Sequence, residues 1–245
     1  MNTPDIVHGL KPVVFGKILK LEEVENILGK DHVISLDESI NAWARVTNLS
    51  TIDGPPIVRY FKGVVKGCAR ENNRKRNPAN WHLIYLPGIS LVEMMKVFRT
   101  GPAVSIPSFT GPSTWISKKS EAYWANQKIA AGYYLINLMP CYPGATPEER
   151  NVLFGDQAST KLAPATAAQF VCAIFTRILV SPEKARQHRP DYYHISTEVA
   201  AKGRYVAAGN YRTNNGLDIN GVLNIDPTAD QNVIHGTATV RIFNL

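Results

Sequence analysis

Residues 165–180 read ATAAQFVCAIFTRILV, a segment that is apolar almost all the way round a helix. A helix without a polar face is typical of one buried in the middle of a domain. Ser181 and Pro182 follow, and we expect the helix to end there because proline cannot continue a helical hydrogen-bond ladder. This segment therefore predicts a central buried helix.

After this helix, residues alternate between apolar and polar types with a period of two, which is typical of strands with one apolar face. The turn signal Asn214-Asn215-Gly216 separates two of these stretches. The predicted strands lie at 205–211, 217–225 and 234–242. We expect them to form an antiparallel meander whose last strand, 233–243, is an edge that a second copy can pair with.

Small residues recur on one predicted face of this meander, and missing side chains allow another backbone to come close. Helix 165–180 is therefore the expected packing partner of that face. The residues concerned are Ala207, Gly209, Gly221, Gly236 and Ala238.

The N-terminal half is predicted to mix helices and short strands. One helix carries Leu21, Val24 and Leu28, and a second begins at Asp37. Residues 57–65 and 81–86 are rich in β-branched and aromatic side chains, so we expect two strands there. Since residues 66–80 show no apolar periodicity, the simplest arrangement is a hairpin with a long basic loop.

Capping boxes place two further helix starts. Ser90 with Glu93 and Thr146 with Glu149 have the spacing that lets each side chain bind the other residue's backbone N–H. A helix is also expected over 117–130 and a strand over 132–139.

Residues 101–114, GPAVSIPSFTGPST, form an extended connector and the one plausible domain boundary. We nevertheless expect a single domain over 1–245, because each side looks poor in self-sufficient sheet. The predicted fold class is α+β, with an antiparallel C-terminal meander packed on the buried helix 165–180.

The composition excludes several classes of protein. With 245 residues, 44% hydrophobic and 19% charged, the chain is neither disordered nor fibrous. No apolar run reaches the 18 residues of a membrane span, so no membrane partner is expected. Residues 1–10 lack the basic and apolar regions of a secretory signal, although a processed precursor stays open. Three scattered cysteines favour a reducing, cytoplasmic location.

The positive charge is concentrated in one place. Between Lys62 and His82 there are six basic residues and one glutamate, a net +5 of the +7 carried by the whole chain. A localised basic segment predicts contact with a nucleic acid, another polyanion or a protein partner, but also fits a solvated loop tip. The candidate contact residues are Lys66, Arg70, Arg74, Lys75 and Arg76.

Aromatic residues flank this basic segment. Tyr60, Phe61, Trp81 and Tyr85 lie just before and after it. Basic side chains interleaved with stacking platforms are typical of surfaces that bind single-stranded nucleic acid. On strands, however, alternate aromatics point into the core, so one face at most is free for bases.

The alternative is a cytoplasmic enzyme that uses a loop thiol. Cys141 lies in MPCYPG, just past a predicted strand, where reactive groups often sit. A nucleophilic cysteine needs a histidine within hydrogen-bond reach, and His194 is the candidate base.

Motifs for cofactor or metal chemistry are missing from the sequence. No phosphate-cradling glycine loop, HExxH, GxSxG or EF-hand pattern occurs, so no cofactor and no metal are expected. The leading hypothesis is therefore a non-catalytic binding or structural protein whose basic loop, 66–80, contacts its partner.

Overall fold

The structure is a computed structural model. It describes residues 19–47, 57–58, 60–98, 107–109, 123–143, 145, 149, 152, 154, 162–188, 190–199, 205–212, 216–222 and 234–241. Within these ranges the chain forms helices and one mixed sheet, which confirms the α+β class.

The α-helices differ widely in length, and two 3₁₀ segments, Lys30–His32 and Pro182–His188, accompany them. The α-helices are α1 (Leu21–Leu28), α2 (Leu36–Ala44), α3 (Lys62–Asn72), α4 (Leu91–Val97), α5 (Tyr123–Asn126) and α6 (Ala167–Val180). The strands are β1 (Val33–Ile34), β2 (Trp81–Leu86), β3 (Gly132–Cys141), β4 (Leu162–Pro164), β5 (Tyr192–Val199), β6 (Tyr205–Arg212), β7 (Gly216–Val222) and β8 (Ile234–Arg241).

The sheet joins strands from both halves of the sequence. Its order is β1-β2-β3-β8-β5-β6-β7, with β4 paired to β8 off this path. Strands β5, β6 and β7 are consecutive and antiparallel, so a C-terminal meander does exist. That the whole chain is one domain stays a prediction.

The last strand is not where the sequence pattern placed it. β8 is antiparallel to β3 on one side and parallel to β5 on the other, so it lies inside the sheet. The predicted edge at 233–243 is therefore wrong, and self-association through it loses its basis. A crossover of this kind leaves no local signal, because strand 234–241 alternates in the same way whether its partner is β7 or β5.

α6 is the central buried helix that its sequence predicts. Eleven of its residues are buried, and its N-cap Thr166 accepts a hydrogen bond from the Gln169 backbone N–H at 3.1 Å. It packs in one hydrophobic cluster with Val206 and Ala208 of β6. On β6 the expected face, with Ala207, is wrong by one residue, since Ala207 packs with Ile195 elsewhere. On β8 the expected residue Ala238 does pack in the cluster of α6.

Side chains of β2 alternate between two cores. Trp81, Leu83 and Tyr85 pack with residues of α1 and α3. Ile84 and Leu86 pack in the larger cluster that contains α6. The first strands of the sheet are thus covered on both faces, and the two cores place α3 and α6 on opposite sides of β2.

The strand predicted at 57–65, and with it the hairpin loop at 66–80, is wrong. Residues 62–72 form α3, preceded by an isolated bridge between Leu19 and Val58. α3 buries Val65, Cys68 and Ala69, an i, i+3, i+4 stripe that packs on β2. The β-branched residues at 57–58 and 64–65 resemble a strand, but packing of this stripe outweighs their local propensity.

Helix starts were predicted with mixed success. The capping box of Ser90 and Glu93 is confirmed. α2 is capped by Ser35, two residues earlier than the predicted Asp37. Of the helix predicted over 117–130, the described part shows only α5, and 127–130 is not helical. The start at Thr146 and most of the connector 101–114 lie outside the described residues.

Among the described residues, none of the helices is long and apolar enough to cross a membrane.

Candidate polyanion-binding surface

α3 carries a row of positive side chains on its solvent side. Lys62, Lys66 and Arg70 are spaced four residues apart, so they lie on one face of the helix. All three are exposed, while the opposite stripe is buried against β2. The row spans about 12 Å at 1.5 Å per residue.

The turn after α3 carries three more positive side chains. Arg74, Lys75 and Arg76 are all exposed in the segment between α3 and β2. Together with the three residues of α3 they form what we call the basic surface: Lys62, Lys66, Arg70, Arg74, Lys75 and Arg76.

Hydrogen bonds anchor the turn at both ends. The Asn72 side chain accepts from the Trp81 backbone N–H at 2.7 Å and donates to the Trp81 carbonyl at 3.0 Å. Asn73 donates from Nδ2 to the Ala69 carbonyl at 2.9 Å. Residues 74–80 therefore start and finish at fixed points of the fold.

No acid neutralises the basic surface within the described ranges: the ion pairs found there involve other residues. Glu71 is the acid nearest in sequence, but it lies 3.4 Å from Arg241 and accepts from Trp81 Nε1 at 2.6 Å. Its carboxylate is turned toward the protein, so the outward charge of α3 and its turn stays positive.

Three of the four flanking aromatic residues do not provide stacking platforms. Tyr60, Trp81 and Tyr85 are each less than 5% exposed. The Tyr60 hydroxyl donates to the Arg241 carbonyl at 3.3 Å, which fixes it inside the fold. The expected interleaving of bases is therefore wrong for these three rings, whereas Phe61, the N-cap residue of α3, is only half-buried.

A cleft of about 600 Å³ adjoins the basic surface. Arg74 stands on its rim, and Arg241 lies on its wall with the guanidinium carbon 5.1 Å from the Trp81 ring centre. Cys141, at the end of β3, lines the far side. None of the described residues that line this cleft is a histidine.

The surroundings of Cys141 disfavour a reactive thiolate, because burial outweighs the hydrogen bonds that favour ionisation. It is the last residue of β3, not a loop residue beyond it. Its sulfur lies 3.4 Å from Asn137 Nδ2 and 3.9 Å from Thr239 Oγ1. Burial raises the pKa of the Cys141 thiol, so the reactive thiolate is disfavoured.

His194 has a structural role in the fold. It is fully buried in β5, and its Nδ1 accepts a hydrogen bond from the Ala238 N–H at 3.0 Å. Nε2 therefore carries the proton and donates to the Ala165 carbonyl at 2.9 Å. Both ring nitrogens have backbone partners, which leaves no lone pair to deprotonate a thiol. The structure does not bring Cys141 and His194 together as a base–nucleophile pair.

Two further points differ from sequence-based expectation. Cys68 is buried in α3, and burial raises the pKa of its thiol to about 12, whereas its place among basic residues in the sequence favours a lowered pKa. Lys62 was missed as a contact residue because the segment was expected to be a strand. The four-residue spacing of Lys62, Lys66 and Arg70 was the available signal.

Comparison with known proteins finds no family model, no curated protein and no solved structure that matches this chain.

Proposed function

We propose that this is a non-catalytic binding protein whose basic surface contacts a polyanion, with nucleic acid as the principal candidate. The observation that carries the proposal is a set of six exposed cations, on a helix and its anchored turn, without a neutralising acid among the described residues. Because no acid pairs with these side chains, their charges are available to bind an anionic ligand.

The expected mode of binding is electrostatic. Lys and Arg side chains that neutralise phosphates release condensed counterions, and this term does not depend on base sequence. Because Tyr60, Trp81 and Tyr85 are buried, base stacking on these rings does not add to it. Affinity should therefore be strongly salt-dependent and nearly the same for different sequences.

The test measures binding of the full chain to labelled single-stranded RNA, single-stranded DNA, duplex DNA and heparin across a salt series. The variant Lys66→Gln/Arg70→Gln removes two charges from the basic surface. For single strands, the slope of log K against log salt should fall by about 0.7 for each lost phosphate contact.

The matched control is Lys96→Gln/Lys128→Gln, which removes two charges elsewhere. Lys96 is exposed on α4, and Lys128 forms a surface ion pair with Glu93 at 3.0 Å. This control should bind like wild type. Salt-independent binding by wild type, or equal losses in both variants, would refute the proposal.

An acidic protein partner is the alternative occupant of the same surface. Competition with a polyglutamate peptide separates the two. If the peptide displaces heparin and binds more tightly than RNA or DNA does, an acidic protein partner is favoured.

A cytoplasmic location is proposed with this function. Cys68, Cys141 and Cys172 are all free thiols, and free thiols suit a reducing compartment.

A further inference from the structure

A second cavity, of about 340 Å³, lies on the α6 side of the sheet. Four elements that are distant in sequence meet there. α6 contributes Arg177, β2 contributes His82, and the two 3₁₀ segments contribute His32 and His188. Lys30 and Lys184 also line the cavity, and both side chains are exposed.

Arg177 has no partner for its charge in the part of the chain that the structure describes. It is the one charged side chain on an otherwise apolar helix. Burial lowers the pKa of its guanidinium to about 10, so it remains a cation at neutral pH. The Arg177 side chain is half-buried, and a partly desolvated charge without a partner is unfavourable, so an anionic ligand would offset this cost.

The two acids that line the cavity do not compensate for Arg177. Glu38 caps α2, where its Oε2 accepts from the Ser35 N–H at 2.8 Å and from the Ser35 hydroxyl at 2.7 Å. The Asp31 side chain is 89% exposed and lies 3.8 Å from Lys184 Nζ. The cavity therefore keeps an excess of positive charge.

The three histidines add hydrogen-bonding groups. His32 and His82 lie with their ring centres 4.6 Å apart. His32 Nδ1 donates to the Trp81 carbonyl at 3.1 Å, and His82 Nε2 lies 2.7 Å from the Asn80 side-chain oxygen. His188 Nδ1 is buried and has no hydrogen-bond partner among the described residues.

A metal ion is a poor occupant of this cavity. No group of three metal-binding side chains with suitable geometry exists in the described ranges. The Arg177 cation would also repel a metal ion, whereas it attracts an anion.

We propose that this cavity is a binding site for a small phosphate-bearing anion, held by the Arg177 guanidinium with Lys30 and Lys184 beside it. The planar guanidinium binds two phosphate oxygens in parallel, and the neighbouring lysines supply donors for the remaining oxygens. A carboxylate has two oxygens and would leave donors unused. The volume exceeds that of a free ion, so a phosphate monoester fits better than inorganic phosphate.

The test uses urea unfolding of the full chain at constant ionic strength, with inorganic phosphate, glycerol phosphate or acetate replacing chloride. A ligand that binds the folded state raises the unfolding midpoint with its concentration. We expect glycerol phosphate to raise it most, inorganic phosphate less and acetate least. The same midpoint in all four salts would overturn the proposal, and inorganic phosphate outperforming glycerol phosphate would overturn the monoester assignment.

The variant Arg177→Met separates binding from structure. In chloride alone it should be about as stable as wild type, because a half-buried charge without a partner is replaced by an apolar side chain. Its affinity for glycerol phosphate should be about 10–100-fold weaker, as expected for loss of a charge-assisted bidentate contact. If Arg177→Met retains the glycerol phosphate response, the assignment is wrong.

Arg45→Met is the matched control. Arg45 is exposed near the end of α2, and its Nη2 donates to the Leu179 carbonyl of the same α6 helix, but it does not line the cavity. It removes one guanidinium from the same region and should keep the full response to glycerol phosphate. The Lys66→Gln/Arg70→Gln variant should also keep it, which separates this site from the basic surface.

If Arg177→Met does not fold, a second measurement on the wild-type protein still tests the proposal. Imidazole resonances of His32, His82 and His188 should shift when glycerol phosphate is added, and their pKa values should rise beside the bound anion. Shifts confined to the other histidines would overturn the proposal.

Discussion

Gly209 marks the place in β6 where two backbones touch. Its φ is +155°, and a Cβ built there would overlap the Tyr192 carbonyl and lie 2.8 Å from Tyr193 Cα. Both obstacles are backbone of the paired strand β5, which cannot rotate away as a side chain can. Alternation in the sequence identified 205–211 as a strand, but it did not predict this contact with β5.

Gly209→Ala should therefore destabilise the protein. Strain at an unfavourable φ and overpacking together predict a loss of at least about 2 kcal/mol in the free energy of unfolding. Urea denaturation of the variant measures the loss. An alanine tolerated at no cost would show that β5 and β6 are further apart than the register of Tyr193 with Gly209 requires.

The three histidines around Arg177 predict how stability depends on pH. Burial is the main cause that lowers the pKa of each, to about 4 for His188, from an unfolded value near 6.5. The folded state then binds fewer protons between these pH values than the unfolded state. Their contribution is complete above the unfolded pKa and is lost as pH falls from about 6.5 to 4.

Urea midpoints at several pH values in chloride buffer should thus fall on acidification. His188→Gln should show a shallower fall than wild type, because glutamine takes up no proton. Glu198 contributes with the opposite sign, since burial raises its pKa, so the difference between the two proteins is the quantity to compare. Identical slopes for both proteins would contradict the depressed His188 pKa.

At the scale of elements, helices are predicted best where the apolar pattern and the capping residues indicate the same segment. The Ser90–Glu93 box and the apolar segment of α6 were found because a local signal states where each helix begins and what it buries. α3 was missed because Val64 and Val65 favour a strand, while the helical stripe depends on burial by a distant partner, β2.

Two glycines in α3 offer a test of its helical state. Gly63 and Gly67 lie within the helix, and a Cβ added at either would meet nothing within 4 Å. Glycine costs a helix about 0.5–1 kcal/mol relative to alanine. Gly67→Ala should therefore stabilise the protein by about that amount, because it reduces the freedom of the unfolded chain without a clash.

Urea denaturation of Gly67→Ala gives the measurement, with Gly63→Ala as an independent repeat. A destabilisation at both positions is what a loop with positive φ at these glycines would produce, and it would contradict α3.

At the scale of the molecule, the candidate sites were only partly predictable. The basic surface is contiguous in sequence, so its charge was visible, and only its spacing along a helix had to come from the fold. The cavity around Arg177 combines residues about 145 positions apart in sequence, counted from His32 to Arg177. No spacing rule joins such residues, because their meeting depends on the order of strands in the sheet.

The order of strands in the sheet leads to the last prediction. β8 is hydrogen-bonded on both sides and lies between β3 and β5, whereas β7 lies at the end of the strand order and is joined on its far side by an isolated bridge between Phe109 and Leu217. Amides of a central strand exchange through global unfolding, and those of an edge strand open at lower free energy. Native-state hydrogen exchange should therefore show slower exchange in β8 than in β7. The opposite result is expected if the meander ends in an exposed edge strand at 234–242. Faster exchange in β8 would therefore support that topology and contradict the crossover from β7 to β8.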